Sequence, residues 1–310
     1  MSDARNVETI LVPTDFSPDA AAALDWARAL AAERGARIVL AHAVMVTTPP
    51  APEYLPIEER FWSALGDEAR KQLDALAASL RAQGLAVETE LTIEPVVAHV
   101  LEVAARQRAD VIVAGTRGLT RWKRVVLGSV AARLVRTAGC PVVTVRADEQ
   151  RAPRPVRTIL VPTDFSDDAA RAAGAAATLL GTSPGRRLVL LHAYRYPAVF
   201  GSAPAIVLAH AIERLVADTE RAVEEIAARL RGQGTVVESR AVEGPPWQVI
   251  LEHAQEVDAD LIAMGTHGRS GLDRLLLGST AERVLSAAPC PVLTVHCAEA
   301  AAPDARAPAP

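Results

Sequence analysis

The sequence predicts an α/β protein: two tandem doubly wound domains, each a five-stranded parallel sheet with helices on both faces. Three observations carry the prediction. Short, continuously apolar strands alternate with helical stretches, as in a parallel sheet covered on both sides. Right-handed crossovers then give double winding. The whole pattern also occurs twice. Val-Pro-Thr-Asp-Phe-Ser stands at Val12–Ser17 and again at Val161–Ser166. Gly115, Gly118 and Gly128-Ser129 have the same internal spacing as Gly265, Gly268 and Gly278-Ser279. Cys140–Val145 (CPVVTV) is answered by Cys290–Val295 (CPVLTV). The repeat unit is about 150 residues, an ordinary size for one domain.

In the first copy, Thr9 to Val12 is a short apolar run that Pro13 stops. Ser17-Pro18 starts a helix, with Ser as N-cap and Pro in the first turn, and Leu24, Ala27 and Leu30 continue it to Gly35. Ile38 to Ala43 is a second apolar strand, and the proline-bearing stretch 47–56 reads as loop. Phe61, Leu65, Leu73, Leu76 and Leu80 give helical spacing to residues 58–83, which Gly84 ends. Residues 86–92 alternate like a strand. Pro95 opens a helix through Val97, Val100, Leu101 and Ala104. Val111 to Ala114 is strand four, Gly128 begins a helix with Ala131, Leu134 and Val135 inward, and Val142 to Val145 is strand five. The second copy repeats this order, with strands at 158–161, 188–193, 236–242, 261–264 and 292–295 and a long helix at 206–231. The expected division is 1–147 for the first domain and 156–298 for the second. A polar linker lies between them, and the Ala/Pro-rich tail 299–310 is expected to be disordered.

Composition excludes several classes. The chain has 310 residues, half of them hydrophobic, and a formal net charge of −4. That length holds two complete cores, and that charge gives no pull toward nucleic acid or membrane. No apolar run reaches transmembrane length, and Met1 to Asn6 lacks an apolar export core, so the expected location is cytoplasmic. Three cysteines make no disulfide framework. Cys140 and Cys290 read as small residues at strand entrances, and no metal-ligand spacing is present.

Ligands of an open α/β sheet sit beyond the carboxyl ends of the strands, at the topological switch point. Pro13-Thr14-Asp15 follows strand one and Gly115-Thr116-Arg117-Gly118 follows strand four, so these loops face one another across the crevice. The glycines allow close backbone approach to a phosphate. Gly128-Ser129 opens a helix whose first turn offers free N–H groups. Asp15 and Asp164 suit a ribose hydroxyl, or Mg²⁺ held through water. A structural reading stands beside this one: turn glycines, a plain helix start, and an aspartate capping the next helix. His42 and His192, ending strand two, read as hydrogen-bonded and largely buried. His267 lies inside the second glycine loop and is a contact candidate. His99, His210, His253 and His296 show no ligand spacing.

The pattern Gly-x2-Gly-x9-Gly-Ser after strand four, joined to Pro-Thr-Asp after strand one, resembles the universal stress protein family. The resemblance covers both halves, through Val12–Ser17, Gly115–Val130 and Cys140–Val145 and their counterparts Val161–Ser166, Gly265–Thr280 and Cys290–Val295. It implies a tandem member with strand order 3-2-1-4-5 in each half, and ATP binding, with Mg²⁺ as an accompanying ion. The implied first site has Pro13, Thr14 and Asp15 along the adenosine, and Ala43 or Val44 beside the adenine. Gly115, Arg117 and Gly118 would lie at the ribose and phosphates, and Gly128, Ser129 and Val130 at the phosphate end. The second site uses Pro162, Thr163, Asp164, Ala193, Gly265, His267, Gly268, Arg269, Gly278, Ser279 and Thr280.

The halves differ between their glycines. Residues 115–136 carry six basic and no acidic side chains, and residues 265–286 carry three basic and two acidic. The first loop lacks counterparts of Arg269 and Gly271 and holds Arg121 and Trp122, which can fill space that a nucleotide needs. Two related pockets of unequal affinity are therefore expected. No paired base and nucleophile is evident, so the role expected is binding or regulation without catalysis. The alternatives are an interaction protein whose loops are only structural, and an adenine-nucleotide hydrolase or adenylating enzyme. The apolar edges at strand five invite pairing. The resemblance adds that the two halves dock there as an internal pseudo-dimer, with a homodimer as a further expectation.

Overall fold

A computed structural model describes residues 6–44, 55–93, 95–118, 127–147, 154–195, 205–232, 234–268 and 277–296, with backbone alone for 55–63, 205–209 and 211. The middle of the linker, the tail, Arg121, Trp122, Arg269, Gly271 and most of the loop at 47–56 lie outside the described residues.

The first half runs β1 (Thr9–Pro13), α1 (Pro18–Arg34), β2 (Arg37–Ala43), α2 (Leu55–Ala82), β3 (Val87–Thr92), α3 (Val96–Arg106), β4 (Val111–Gly115), α4 (Ser129–Thr137) and β5 (Val142–Val145). The second half repeats it: β6 (Thr158–Pro162), α5 (Asp167–Leu180), β7 (Arg187–Tyr194), α6 (Ala205–Arg231), β8 (Val237–Glu243), α7 (Pro246–Glu256), β9 (Leu261–Gly265), α8 (Ser279–Ala287) and β10 (Val292–Val295). The sequence signals act where they stand. Ser17 and Ser166 accept from the N–H groups of Ala20 and Ala169 as N-caps, and Gly35 closes α1 at φ 66°. Pro95 precedes α3 without making a side-chain cap.

The strands form one ten-stranded sheet of order β3-β2-β1-β4-β5-β10-β9-β6-β7-β8. Neighbours within each half are parallel, and β5 pairs with β10 antiparallel, Val143 opposite Leu293. The hydroxyls of Thr144 and Thr294 reinforce the seam, donating to the Val292 and Val142 carbonyls at 3.3 and 3.2 Å. Both arms of the repeat also pin their first strand in one way. Asp110 Oδ2 accepts from the N–H groups of Glu8 and Thr9, and Asp260 Oδ2 from those of Arg157 and Thr158.

The core is divided by sheet face, and each part draws on both copies of the repeat. Side chains alternate along a strand, so Ile10 and Val12 join one cluster with Leu73, Val143, Ile159, Leu180 and Leu293. Leu11 joins the other with Val39, Ile112, Leu134, Leu160 and Ile262. The repeat leads one to expect one core in each half; the buried residues instead form two clusters, one on each sheet face, and each spans both halves. The amino-acid pattern cannot show this, because it depends on the seam. Across the seam, α1 and α5 touch at their carboxyl ends. Arg34 donates to the Leu179 carbonyl, and Glu33 lies between Arg34 and Arg186 at 3.2 and 2.6 Å. Burial is the main reason that the Arg34 guanidinium is shifted below its ordinary pKa.

Gly115 and Gly265 matter for packing. A Cβ at Gly115 would stand 2.7 Å from the carbonyl carbon of Asp19 and 2.8 Å from the nitrogen of Ala20. At Gly265 it would stand 2.9 Å from the carbonyl carbon of Asp168. Those are backbone atoms, so the helix itself would have to move. Gly115→Ala and Gly265→Ala should each cost about 1–3 kcal/mol, seen as a lower urea midpoint with native helix content. An unchanged midpoint would contradict the close approach.

Cys290 is buried and Cys140 half-buried, both at strand entrances as expected. Burial, with the charge of Asp110 second, pushes the Cys140 thiol up to about 11. It is therefore protonated and unreactive at neutral pH. Native alkylation of Cys140, followed peptide by peptide by mass spectrometry, should stay slow through pH 9 and rise only toward pH 11. A rate already at its plateau by pH 9 would contradict this.

Candidate functional site

The crevice of each half starts at the turn after its first strand. In the first half, Thr14 Oγ1 accepts from Phe16 N at 3.1 Å and Asp15 Oδ1 from Ser17 N at 3.0 Å. These two bonds hold Phe16 at φ 60°, a left-handed conformation uncommon outside glycine, and the second half has Phe165 at φ 65°. The turn aims the other carboxylate oxygen of Asp15 across the crevice, where a Cβ on Gly118 would come within 2.7 Å of it. Asp164 and Gly268 are related in the same way, also at 2.7 Å. The aspartate thus bonds within its own turn and faces the glycine loop, and the cap of α1 is Ser17 in place of the capping role that the structural reading gave Asp15.

The histidines that end strand two support this turn. His42 Nδ1 lies 2.7 Å from the Thr14 carbonyl and His192 Nδ1 2.7 Å from that of Thr163. A carbonyl only accepts, so each Nδ1 carries the proton. Phe16 and Phe165 lie over these rings at 4.7 and 4.5 Å between centroids. Both histidines are half-buried and hydrogen-bonded, as the residue pattern suggests.

The loop after strand four is built around a buried aspartate. In the first half Asp19, 5 % exposed, accepts at Oδ2 from Thr116 Oγ1 (2.7 Å), Arg117 N (3.0 Å) and Arg117 Nε (3.2 Å). Its Oδ1 accepts from Ala147 N at 3.2 Å. Arg117 therefore has its backbone N–H and its guanidinium turned toward Asp19, a structural engagement that its place in the loop does not reveal. Gly128 closes the loop by donating its N–H to the Thr116 carbonyl at 2.7 Å, and Gly278 does the same to Thr266 at 2.9 Å. A Cβ at either glycine would crowd that carbonyl, at 3.0 and 3.1 Å. All three glycines of the pattern thus have reasons internal to the protein, in addition to any part in binding.

Two helices open at this end without help from a side chain. Gly128 and Gly278 are the N-caps of α4 and α8, and neither helix has a side-chain cap. The first-turn N–H groups of such a helix have no internal partners. Ser129 and Ser279, both exposed, add hydroxyls there, and Val130 and Thr280 are half-buried beside them. By contrast α1 and α5, which start at the same crevices, are capped by Ser17 and Ser166.

In the second half these elements enclose a cavity of about 450 Å³. Its wall brings together Pro162, Thr163, Asp164, Ala193, Gly265, His267, Gly268, Gly278, Ser279 and Thr280, which are the expected residues that lie within the described part of the chain. Leu191, Pro246, Ile250 and Met264 complete an apolar side that the motif does not announce. At the end of the second strand the wall takes in Ala193, the counterpart of Ala43, and not Tyr194, the counterpart of Val44. Val44 is buried, with its N–H on the Thr92 carbonyl, so Ala43 is the better of the two adenine-side candidates. A larger cleft of about 1210 Å³ lies at the opposite end of the first half, lined by Arg37, Asp110 and Cys140 among others. It is at the amino ends of the strands, where open α/β sheets do not place ligands, and Arg37 and Asp110 are bonded internally.

The halves part company at the buried aspartate. Asp168 takes the place of Asp19, but Arg117 is replaced by His267 and Arg146 by His296. His267 Nδ1 lies 3.6 Å from Asp168 Oδ2 and 2.9 Å from Thr266 Oγ1, and His296 Nδ1 lies 3.2 Å from the same hydroxyl. The two imidazoles are 5.2 Å apart between centroids. The absence of ligand spacing at His296 in the sequence did not exclude this cluster, which forms in space. Its one signal in the chain is the exchange of two arginines for two histidines between equivalent positions.

No helix among the described residues is long and apolar enough to cross a membrane. The family model for the universal stress protein family matches residues 6–146 and 155–296. A universal stress protein of Mycolicibacterium smegmatis is 32% identical over 299 residues, 93% of this chain and 96% of its own. One of Mycobacterium tuberculosis is 30% identical over 312 residues, 96% of this chain and 99% of its own. Among solved structures, a universal stress protein from Archaeoglobus fulgidus has the same fold, with a TM-score of 0.69 over 94% of this chain and 99% of its own at 22% identity. With the family model matched twice, over nearly all of its length, the chain belongs to the universal stress protein family as a tandem member.

Proposed function

We propose that this protein binds an adenine nucleotide, ATP in the first instance, and acts in the cytoplasm as a binding or regulatory protein of the stress response. The observation that carries the reading is the 450 Å³ cavity of the second half, a volume in the range of small-molecule sites. Its two sides suit the two ends of a nucleotide. Leu191, Ala193, Pro246, Ile250 and Met264 offer an apolar wall to a base, and Ser279, Thr280 and the uncapped start of α8 offer donors to phosphate. Asp164 stands between them at ribose reach. Mg²⁺ would be held chiefly by the phosphates, with Asp164 or Asp15 contributing through water. The wall's one imidazole–hydroxyl pair among the described residues, His267 with Thr266 at 2.9 Å, has its hydroxyl residue almost fully buried, so binding is preferred to catalysis.

The first half carries the same turn, aspartate, glycines and uncapped helix, and we propose a second, unequal site there. We also infer that the two halves persist in solution as an internal pseudo-dimer joined at β5 and β10, with homodimers as a further level of assembly. A second reading has a specific observation behind it. Each glycine of the motif has a packing or hydrogen-bonding reason of its own, which is what an interaction protein without a ligand would need.

Calorimetric titration of the full chain with ATP and Mg²⁺ separates the two. Nucleotide binding predicts saturable heats, and Asp164→Ala should weaken the second-half site about ten- to hundredfold, the range for a hydrogen bond to a charged group. Asp15→Ala should affect a separate component of the isotherm. No binding at millimolar ATP would leave the interaction-protein reading standing.

A further inference from the structure

We propose that Asp168, His267 and His296 form a site for one divalent transition-metal ion of the zinc class, at the carboxyl ends of β9 and β10. The inference is independent of nucleotide binding. Each of the three residues offers one ligand atom, and these atoms lie within 4.8 Å of one another. Metal–nitrogen and metal–oxygen bonds of about 2.0–2.2 Å place tetrahedral ligand atoms a little over 3 Å apart. Small side-chain rotations therefore close the site. Thr266 Oγ1, within 3.2 Å of both Nδ1 atoms, or a water supplies the fourth position.

Comparison of the two halves gives the physical reason. Asp19 and Asp168 are equivalent buried carboxylates, and a buried charge must be balanced or bonded. Asp19 has four donor contacts, two of them from Arg117. Asp168, 7 % exposed, has no hydrogen-bond donor among the described residues, and its one ion-pair partner there is His267 at 3.6 Å. Where the first half has a guanidinium beside its aspartate, the second has imidazoles, and a metal ion would supply the missing positive charge.

Among the described residues His267 Nε2 is buried with no hydrogen-bond partner. Two imidazole nitrogens and one carboxylate oxygen suit zinc, cobalt, nickel or copper ahead of magnesium or calcium.

The test uses the full-length chain, stripped with chelator and free of nucleotide, titrated with Co²⁺ and followed by its d–d absorption. One equivalent should bind and be displaced by Zn²⁺. The double variant His267→Arg with His296→Arg copies the arginine pair around which the first half already folds. It should bind Co²⁺ at least tenfold more weakly while keeping its melting temperature. His296→Gln alone should show the same loss and serves if the double variant does not fold. Three results would each overturn the proposal: no saturable binding, affinity unchanged in these variants, or a thiolate charge-transfer band showing that a cysteine is the ligand. Since no nucleotide is present, these outcomes do not depend on whether ATP binds.

Discussion

The antiparallel ladder between β5 and β10 is the contact on which the rest of the molecule depends. Each half ends in a four-residue apolar strand whose outer edge has no partner within that half. Such edges are unstable alone, and here each covers the other. The ladder turns two five-stranded sheets into one of ten strands and lets each face carry a single apolar layer across both copies. It also sets directions. Strands are parallel within a half and antiparallel at the seam, so the two crevices open at opposite ends of the sheet. Arg146, just past the end of β5, therefore meets the carboxyl end of α8 and donates to the Leu285 and Ser286 carbonyls. A cation is favoured at that end of the helix dipole.

With the crevices held apart, each half has to build its own site, and the copies solve one problem in different ways. The close approach of α1 to β4 at Gly115, and of α5 to β9 at Gly265, drives an aspartate under the loop that follows the strand. In the first half Arg117 neutralises it. That ties the guanidinium to the scaffold, so the positive charge counted between residues 115 and 136 overstates what is free to meet a phosphate. In the second half the aspartate faces histidines, and His267 lies in both the cavity wall and the aspartate cluster. The difference between the copies is therefore one of local charge balance on a shared backbone.

Much of this is legible in the chain because its elements carry their own punctuation. Ser17-Pro18, Gly35 and Pro95 mark helix ends, and the apolar runs at 9–12 and 111–114 mark strands that are buried on both faces. The polar residues of the second cavity are legible for a related reason, while its apolar side of Leu191, Pro246, Ile250 and Met264 is not. They sit at strand ends and helix starts, and the repeat identifies them twice. What is hidden depends on distance in space. The motif does not show that the backbone of Asp19 lies against Gly115. Nor does it show that Arg117 is bonded to Asp19, 98 residues away. His296 has no motif, because its companions Asp168 and His267 come from a helix start and another loop. The division of the core by sheet face is hidden as well, since it follows from the seam.

The central claim is that the cavity at the carboxyl ends of β6, β7 and β9 is a nucleotide site. A crystal structure of the full chain grown with ATP and Mg²⁺ tests it most directly. The account predicts density with the base against Leu191 and Ala193, the ribose at Asp164 and the phosphates at Ser279 and Thr280. An open cavity at saturating ATP, or nucleotide bound at the amino ends of the strands, would contradict it.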